Sequence, residues 1–275
     1  MYRGFDISLS DAWFDQRQQA RAAGEEVFEA NKKIARQSLN SLRDSSGDLM
    51  AGEIMAEWFP DVKPHVFISH SHQDSAHAIT MAGWLKRQFG LIAFVDSCAW
   101  GYADELLADI DKKYCYQAEK GTYDYQMRNK STAHVHIMLN SALMRLVNSS
   151  ECLFFINTPN SISTQTYIKS EQTTASPWLF SELTISKLIQ RRVPSEHRGG
   201  KLILKSARTL DAAMESLGVQ YPADTRHLTR LGATDLADWD KKVPQVPVDP
   251  ATALDALYDL TPPVSYTHLR AHETR

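Results

Sequence analysis

The middle of the chain alternates short, wholly apolar runs with segments whose apolar residues recur at helical spacing. One amphipathic helix is predicted to begin at Ser75 and to end at Gly90, a residue suited to a helix C-terminus. Apolar runs without polar alternation are typical of strands that helices cover on both faces. The runs that we predict to be strands are 65–69, 91–95, 152–156 and 202–204. The alternation predicts an α/β domain with a three-layer, flavodoxin-like open parallel sheet and helices on both faces.

A polar, helix-favouring region precedes this domain. Residues 11–42 carry apolar side chains on one broad face and predict one long amphipathic helix or two. A further helix is predicted between Asp48, which can cap it, and Pro60, which ends it. We therefore divide the chain into an N-terminal helical extension, residues 1–60, and a main domain, residues 61–263. The extension either packs against the main domain or serves as a partner-binding or self-associating arm.

Two connections inside the main domain are longer than compact α/β domains usually need. They span residues 97–133 and 158–175, and we treat both as inserts. The first contains a helical pattern and then a tyrosine-rich polar run, which covers a sheet edge or stacks on a flat ligand. We give that run no site role. Residues 264–275 resemble a translated sequencing adapter, so they and their two histidines do not enter the fold prediction.

Composition narrows the classes of protein to consider. The 275 residues include 30 lysines and arginines and 33 aspartates and glutamates, a net charge of −3, which disfavours nucleic-acid binding. The apolar runs are far shorter than the roughly 20 residues that a membrane-spanning helix needs. The N-terminus lacks the pattern of a secretory signal, and the three cysteines form no Cys-x-x-Cys pair. We predict a cytoplasmic protein that binds neither nucleic acid nor membranes.

Candidate ligand-binding residues follow the predicted strands. Ser69 and His70 come at the end of the first strand, and Asp96 follows the second. Ligands of open parallel sheets bind outside the carboxyl ends of the strands, so these side chains are expected to converge. A Ser-Pro pair predicts the start of a later helix, on which Trp178 and Glu182 lie one turn apart. An aromatic ring and a carboxylate on one helix face can hold a flat ring and a ribose together.

Four motifs occur in order along the main domain. They read HVFISHSHQD from residue 65, GLIAFVD from residue 90, ECLFFINTPNS from residue 151 and SPWLFSEL from residue 176. Together they resemble the Toll/interleukin-1 receptor (TIR) domain, particularly its bacterial type. The resemblance covers residues 62–260 and implies the TIR fold for this region.

The resemblance also implies an activity, because many TIR domains cleave the bond between nicotinamide and ribose in NAD. It implies Glu182 as the catalytic residue, with NAD as substrate and no separate cofactor. The residues implied to contact the nucleotide are Phe67, Ser69, His70, Asp96, Trp100 and Trp178. His70 stands where the family often has a tyrosine, and Trp100 and Gly101 stand where it usually has Pro-Gly.

The same side chains allow purely structural interpretations. Glu182 can be a helix-capping carboxylate that pairs with Lys187 or Arg191, and Asp74 fits the N-cap of the helix that follows it. Closely spaced histidines invite a metal interpretation, but neither pair has a cysteine or carboxylate cluster beside it in the sequence, and we predict no metal. These pairs are His70 with His72 and His134 with His136.

Two functions other than NAD cleavage stay open. The chain can be a non-enzymatic TIR module that self-associates or recruits partner TIR domains. Trp178 can equally be a core anchor or a ring that contacts a ligand. The chain can also bind another nucleotide, with the insert at residues 97–133 setting the choice of ligand. Homo-oligomerisation is expected for both the enzyme and the interaction module. The family resemblance further implies a role in bacterial immune or stress signalling.

Overall fold

A five-stranded, wholly parallel sheet flanked by helices forms the centre of the structure. The computed structural model describes residues 1–32, 39, 41–46, 48–59, 62–164, 172–198, 220–243 and 248–262. The strands are β1 (Arg3–Ile7), β2 (Val66–Ser69), β3 (Ala93–Val95), β4 (Tyr116–Gln117), β5 (Thr122–Tyr123), β6 (Cys152–Ile156), β7 (Ser163–Thr164), β8 (Gln172–Thr174), β9 (Tyr221–Pro222) and β10 (Thr229–Leu231). The central sheet has the order β10-β1-β6-β2-β3, which is compatible with a flavodoxin-like fold. Two small antiparallel sheets join β4 with β5 and β7 with β8 and β9.

The helices differ in how they begin. The side chains of Asp124, Ser176 and Asp249 each cap a helix, but Asp48 does not cap the helix predicted after it, because Met50 stands at that N-cap. The helices are α1 (Asp11–Asp15), α2 (Gln18–Lys32), α3 (Ala51–Trp58), α4 (Ser75–Phe89), α5 (Ser97–Ile110), α6 (Tyr125–Ser149), α7 (Pro177–Leu188), α8 (Ala233–Lys242) and α9 (Pro250–Leu260). Helix α4 ends at Gly90, whose left-handed φ of 65° suits a residue without a side chain. Within the described part of the chain, no helix combines the length and the apolar character needed to span a membrane.

The three predicted strands that the structure describes all lie in the central sheet. β2 and β6 are neighbours, and β3 pairs with β2 on its other side. Every residue of these strands is buried, which explains their lack of polar alternation. The predicted strand at residues 202–204 lies outside the described residues, as does the segment 264–275.

A strand near the start of the chain corrects the prediction that residues before 60 are purely helical. β1 pairs with β6 on one side and with β10 on the other, so it is a central strand of the sheet. The sequence of β1 does not indicate a central strand, because Arg3 and Asp6 interrupt the apolar pattern. Both are buried: Arg3 donates hydrogen bonds to two threonine hydroxyls, and Asp6 accepts one from Asn157. A partner-binding arm made of residues 1–60 would therefore have to include a strand of the core.

Helix α2 also belongs to the packed domain, because it lies directly against α4. Two glycines allow the close approach. A Cβ atom added at Gly24 would collide with the main-chain carbonyl of Ile79, and one added at Gly83 with that of Ala20. The structure thus supports the packing interpretation of this segment over that of a free arm.

The connection at residues 97–133 is folded throughout. It contains α5, a π-helical turn at Asp111–Cys115, the β4–β5 hairpin and the first turns of α6. Asp111 fixes this region by accepting hydrogen bonds from Arg128 at 2.8 Å and from Ser131 at 2.5 Å. His134 and His136 lie on α6 and not on a strand, so their two-residue spacing does not place them on a common face.

Candidate functional site

The carboxyl ends of β2, β3 and β6 meet where the chain reverses its direction across the sheet. From β2 the chain runs through α4 to β3 at the sheet edge, and then returns past β2 to β6. Such a reversal opens a crevice at the carboxyl ends of the strands, where open α/β sheets bind their ligands. Ser69 ends β2 at this crevice, and Asp96 follows β3 there.

Helix α7 brings Glu182 to the same crevice. The helix begins as predicted: Ser176 accepts a hydrogen bond from the main-chain N–H of Leu179 at 3.2 Å, and Pro177 occupies the first turn. Glu182 has no exposed surface, and its Oε2 accepts a hydrogen bond from the Ser69 hydroxyl at 2.5 Å. Two residues that the sequence analysis singled out, 113 positions apart, are therefore in contact.

Asp96 and His70 complete a buried polar cluster around Glu182. The main-chain N–H of His70 donates to Oδ2 of Asp96 at 3.0 Å, and Nδ1 of His70 lies against Oδ1 of the same carboxyl group. Asp96 lies close enough to Glu182 for its charge to raise the pKa of that carboxyl group. All four side chains of this cluster, which we call the carboxyl-edge cluster (Ser69, His70, Asp96 and Glu182), are fully buried.

The electrostatics of the carboxyl-edge cluster are unusual for a protein interior. Burial raises the pKa of Asp96 well above its ordinary value, and burial together with the Asp96 charge does the same for Glu182. Burial lowers the pKa of His70 to about 4, so this imidazole is neutral at physiological pH. Among the described residues, no lysine or arginine pairs with either carboxyl group. Buried groups with such shifted pKa values are concentrated at functional sites.

Several buried polar atoms at this edge have no hydrogen-bond partner among the described residues. They are Oε1 of Glu182, Nε2 of His70, Oγ of Ser97 and Nε1 of Trp100. The Trp100 ring stacks on His70 with 5.7 Å between ring centroids and 19° between planes. Buried polar atoms without partners are rare in folded proteins and cost free energy. Their concentration here makes this edge of the sheet the candidate ligand site.

Two of the residues implied to contact NAD lie elsewhere. Phe67 is fully buried in the core and stacks on Phe94 at 6.0 Å. Trp178 is half-buried; its ring meets that of His136 edge to face at 5.2 Å, and it lines a groove between α6 and α7. Although Trp178 and Glu182 are one helical turn apart, Glu182 faces the sheet and does not line that groove.

Glu182 does not form the ion pair with Lys187 or Arg191 that a purely structural role predicts. Lys187 pairs instead with Asp224 at 2.6 Å, and Arg191 donates to the main-chain oxygen of His227 at 3.4 Å. Among the described residues, the hydrogen bond that Glu182 accepts with its side chain comes from the Ser69 hydroxyl.

Asp74 has a role that sequence reasoning missed. It stands at the N-cap of α4 as predicted, but its side chain makes no capping hydrogen bond. Its buried carboxylate instead accepts hydrogen bonds from the Thr158 hydroxyl at 2.5 Å and from the Asn160 amide at 2.8 Å. The loops that leave β2 and β6 are thus joined across the crevice. The sequence signal for this contact is weak, because short polar residues such as Thr158 and Asn160 follow a strand in many turns.

The groove between α6 and α7 is the second notable surface. It has a volume of about 730 Å³ and a largely apolar lining, which includes Met144 and Leu188. Both side chains are exposed, by 50% and 76%, as is the neighbouring Ile137 at 68%. Exposed apolar residues grouped along one groove are typical of surfaces that contact another molecule.

The remaining observations on ligands and relatives are negative. In the described ranges, no group of three or more histidine, cysteine, aspartate or glutamate side chains is arranged to hold a metal ion. Comparisons of the chain with protein-family models, with curated proteins and with solved structures found no match. The carboxyl-edge cluster and the sequence motifs are therefore the features that bear on function.

Proposed function

We propose that the chain is a TIR-type enzyme that cleaves the bond between nicotinamide and ribose in NAD, with Glu182 as the catalytic residue. The observation that carries the proposal is the burial of Glu182 at the carboxyl edge of the sheet, where it accepts a hydrogen bond from Ser69 and has no cationic partner among the described residues. The four ordered TIR-like motifs support it, because they supply Ser69, Asp96 and Glu182 from three separate segments of the chain.

The proposed chemistry needs one carboxylate at the reacting ribose. When the bond between C1′ and the pyridinium nitrogen breaks, its electron pair leaves with nicotinamide, which becomes neutral, and positive charge develops on the ribose. A carboxylate that accepts hydrogen bonds from the ribose hydroxyls stabilises that charge most strongly in a site without water. Water or a second nucleophile then forms the new bond to C1′ and releases a proton. Oε1 of Glu182, which has no donor among the described residues, is the oxygen available for the ribose.

Access to this site requires movement of a covering side chain. Ser69, His70, Asp96 and Glu182 have no exposed surface, so NAD cannot reach them in the structure as described. Trp100, which stacks on His70 from the first turn of α5, is the side chain that we propose moves aside. Its indole N–H, which has no acceptor among the described residues, then becomes a donor for the ligand.

The finer fold and biological assignments belong to the same proposal. We infer that the α/β domain is a TIR domain with helices on both faces of its sheet, that it acts in the cytoplasm, and that it self-associates. A role in bacterial immune or stress signalling follows from the family resemblance alone.

A non-enzymatic interaction module is the second candidate, and the α6–α7 groove favours it. Met144 and Leu188 expose apolar surface along this groove. An adaptor uses such a surface to bind another protein and has no need of Glu182 as a catalytic residue. Substitutions at Glu182 and substitutions in the α6–α7 groove therefore distinguish the two functions.

The deciding experiment measures nicotinamide release from NAD by chromatography at high protein concentration. We expect release by the parent chain and its loss in Glu182→Gln, an isosteric change that removes the charge. Glu53→Gln, at an exposed glutamate of α3, is the matched control and should retain the activity of the parent. Silence of the parent chain under the same conditions would overturn the enzyme proposal and favour the interaction module.

A further inference from the structure

A further groove lies between α7 and the segment that leads from β9 into β10. We call it the α7–β10 groove, and its lining includes Phe180, Lys187, Leu188, Asp224, Arg226 and Arg230. Its volume of about 1200 Å³ has room for a small organic molecule. Glu182 and the other members of the carboxyl-edge cluster do not line it. The groove is therefore distinct from the candidate active site, although it is built on the helix that carries Glu182.

The charged side chains of the α7–β10 groove are mainly cationic. Lys187, Arg226 and Arg230 are exposed there, and Asp224 is the single acid among the described lining residues. This excess of positive charge contrasts with the whole chain, whose net charge is −3. A concave surface with charges of one sign attracts ligands of the opposite sign. The groove is therefore complementary to an anion.

Asp224 holds two of the three cations in place. Its carboxylate accepts hydrogen bonds from Nε and Nη2 of Arg226 at 2.8 and 2.9 Å, and from the Lys187 ammonium at 2.6 Å. A guanidinium has five N–H donors and an ammonium has three, so both side chains keep donors for a second anion. One carboxylate thus positions two cations without using all of their hydrogen-bonding capacity.

Arg230 adds a third cation to the groove. Its side chain is exposed on β10 and forms no hydrogen bond or ion pair with another described residue. Its charge acts on Asp6, but that carboxylate is buried and accepts its hydrogen bond from Asn157 at 2.9 Å. The guanidinium donors of Arg230 are therefore available to a ligand.

Apolar side chains form much of the remaining lining. Phe180, Leu183 and Leu188 come from α7, and Leu228 comes from the segment before β10. Leu188 is largely exposed, so a ligand that covers it removes apolar surface from water. Cations beside an apolar wall suit a molecule with an anionic group at one end and a carbon body at the other.

We propose that the α7–β10 groove binds a small phosphomonoester. Its phosphate contacts Lys187, Arg226 and Arg230, and its carbon body lies against Phe180 and Leu188. A phosphomonoester fits because it carries close to two negative charges at neutral pH and has three strong acceptor oxygens, which arginine forks bind well. This inference does not depend on cleavage of NAD, because no member of the carboxyl-edge cluster takes part.

A phosphorus-31 NMR titration of the full chain with phenyl phosphate tests the charged half of the site. We expect saturable binding to the parent chain with a Kd below about 1 mM. Arg230→Gln should weaken binding by about 3- to 10-fold, and it disturbs no side-chain bond to another described residue. Arg145→Gln, at an exposed arginine of α6 outside the groove, is the matched control and should bind like the parent.

Inorganic phosphate and phenol test the two halves of the ligand separately. Inorganic phosphate should displace phenyl phosphate but bind about 10-fold more weakly, because it lacks the apolar body, and phenol should not displace it. Leu188→Ser should weaken phenyl phosphate by about 3-fold and leave inorganic phosphate unchanged. The inference is overturned if the parent chain binds neither phosphate probe, or if Arg230→Gln and Arg145→Gln bind phenyl phosphate equally. Displacement by phenol as effective as by inorganic phosphate would also contradict it.

Discussion

Glu151 and Glu182 are both buried glutamates, but they occupy opposite ends of the sheet and have opposite surroundings. Glu151 directly precedes β6, where its two oxygens accept hydrogen bonds from Arg198 at 3.1 and 2.8 Å. The Tyr258 hydroxyl donates to it as well, at 3.2 Å. Glu182 lies at the carboxyl ends of the strands and has a serine hydroxyl and another acid as its partners.

The two glutamates differ in what their burial does to stability. Glu151 stabilises the fold through its partners, whereas the burial of Glu182 costs free energy. The Arg198 fork satisfies both oxygens of Glu151 and joins the start of β6 to α9, where Asp255 accepts from the same guanidinium at 2.8 Å. Nothing comparable compensates Glu182, although burial makes its negative charge expensive. A buried charge without a partner is typical of a site whose ligand supplies the missing contacts.

The largest effect is expected at the paired glutamate. Glu151→Gln should lower the free energy of unfolding by about 3 kcal/mol, because it leaves a partly buried arginine without one of its two carboxylates. Denaturant titration measures the change. The control is Asp255→Asn, which removes the exposed partner of the same arginine and should cost less than about 1 kcal/mol. Equal losses in the two variants would show that burial of Glu151 adds nothing to the pair.

Glu182→Gln should act in the opposite direction. The amide keeps the shape and can still accept from Ser69, but it carries no charge to be desolvated. We expect the free energy of unfolding at neutral pH to rise by about 1 kcal/mol while nicotinamide release is lost, the usual exchange of stability for function. Denaturant titration beside Glu151→Gln gives the sign directly. A loss of stability as large as that of Glu151→Gln would make Glu182 a structural residue.

The stability difference at Glu182 should depend on pH. Because the pKa of Glu182 is higher in the folded chain than in the unfolded chain, its favourable contribution is complete below about pH 4 and is lost as pH rises through the folded-state pKa. The Tm of Glu182→Gln should therefore exceed that of the parent only slightly near pH 5 and more clearly near pH 8. Calorimetric scans at intermediate pH values check this trend. A constant difference would mean that the ionisation of Glu182 is not coupled to folding.

The contrast between local and distant contacts also explains what could be predicted from the sequence. β6 and the start of α7 were predicted closely because a continuous apolar run and a Ser-Pro cap are local signals. β1 was missed because the residues that make its polar side chains acceptable in a core lie 151 to 258 positions away. Local pattern carries no information about such partners.

The candidate site shows the same limit. Ser69, Asp96 and Glu182 were expected to converge at one edge. In the structure Ser69 donates a hydrogen bond to Glu182, and the next residue, His70, donates one to Asp96. It could not predict that Trp178 turns toward His136, because the rotation of α7 about its axis depends on how α6 packs against it. For the same reason, neither the complete burial of the four side chains nor the stacking of Trp100 on His70 could be predicted from spacing.

The smallest effect is expected when two tryptophans are compared. This comparison tests whether unpaired polar atoms distinguish the carboxyl edge of the sheet from the rest of the core. Trp239 is buried and donates its indole N–H to the main-chain oxygen of Ala253 at 2.8 Å, whereas the buried indole N–H of Trp100 has no acceptor among the described residues. Trp100→Phe keeps an aromatic ring over His70 and removes an unsatisfied donor, so the free energy of unfolding should rise by less than about 1 kcal/mol. Trp239→Phe removes a satisfied donor and packed ring atoms, so it should lower that free energy. Thermal and denaturant unfolding measure the stability of the two variants. A loss of stability in both would mean that the Trp100 N–H already has an acceptor. The carboxyl edge would then contain one unpaired donor fewer for a ligand.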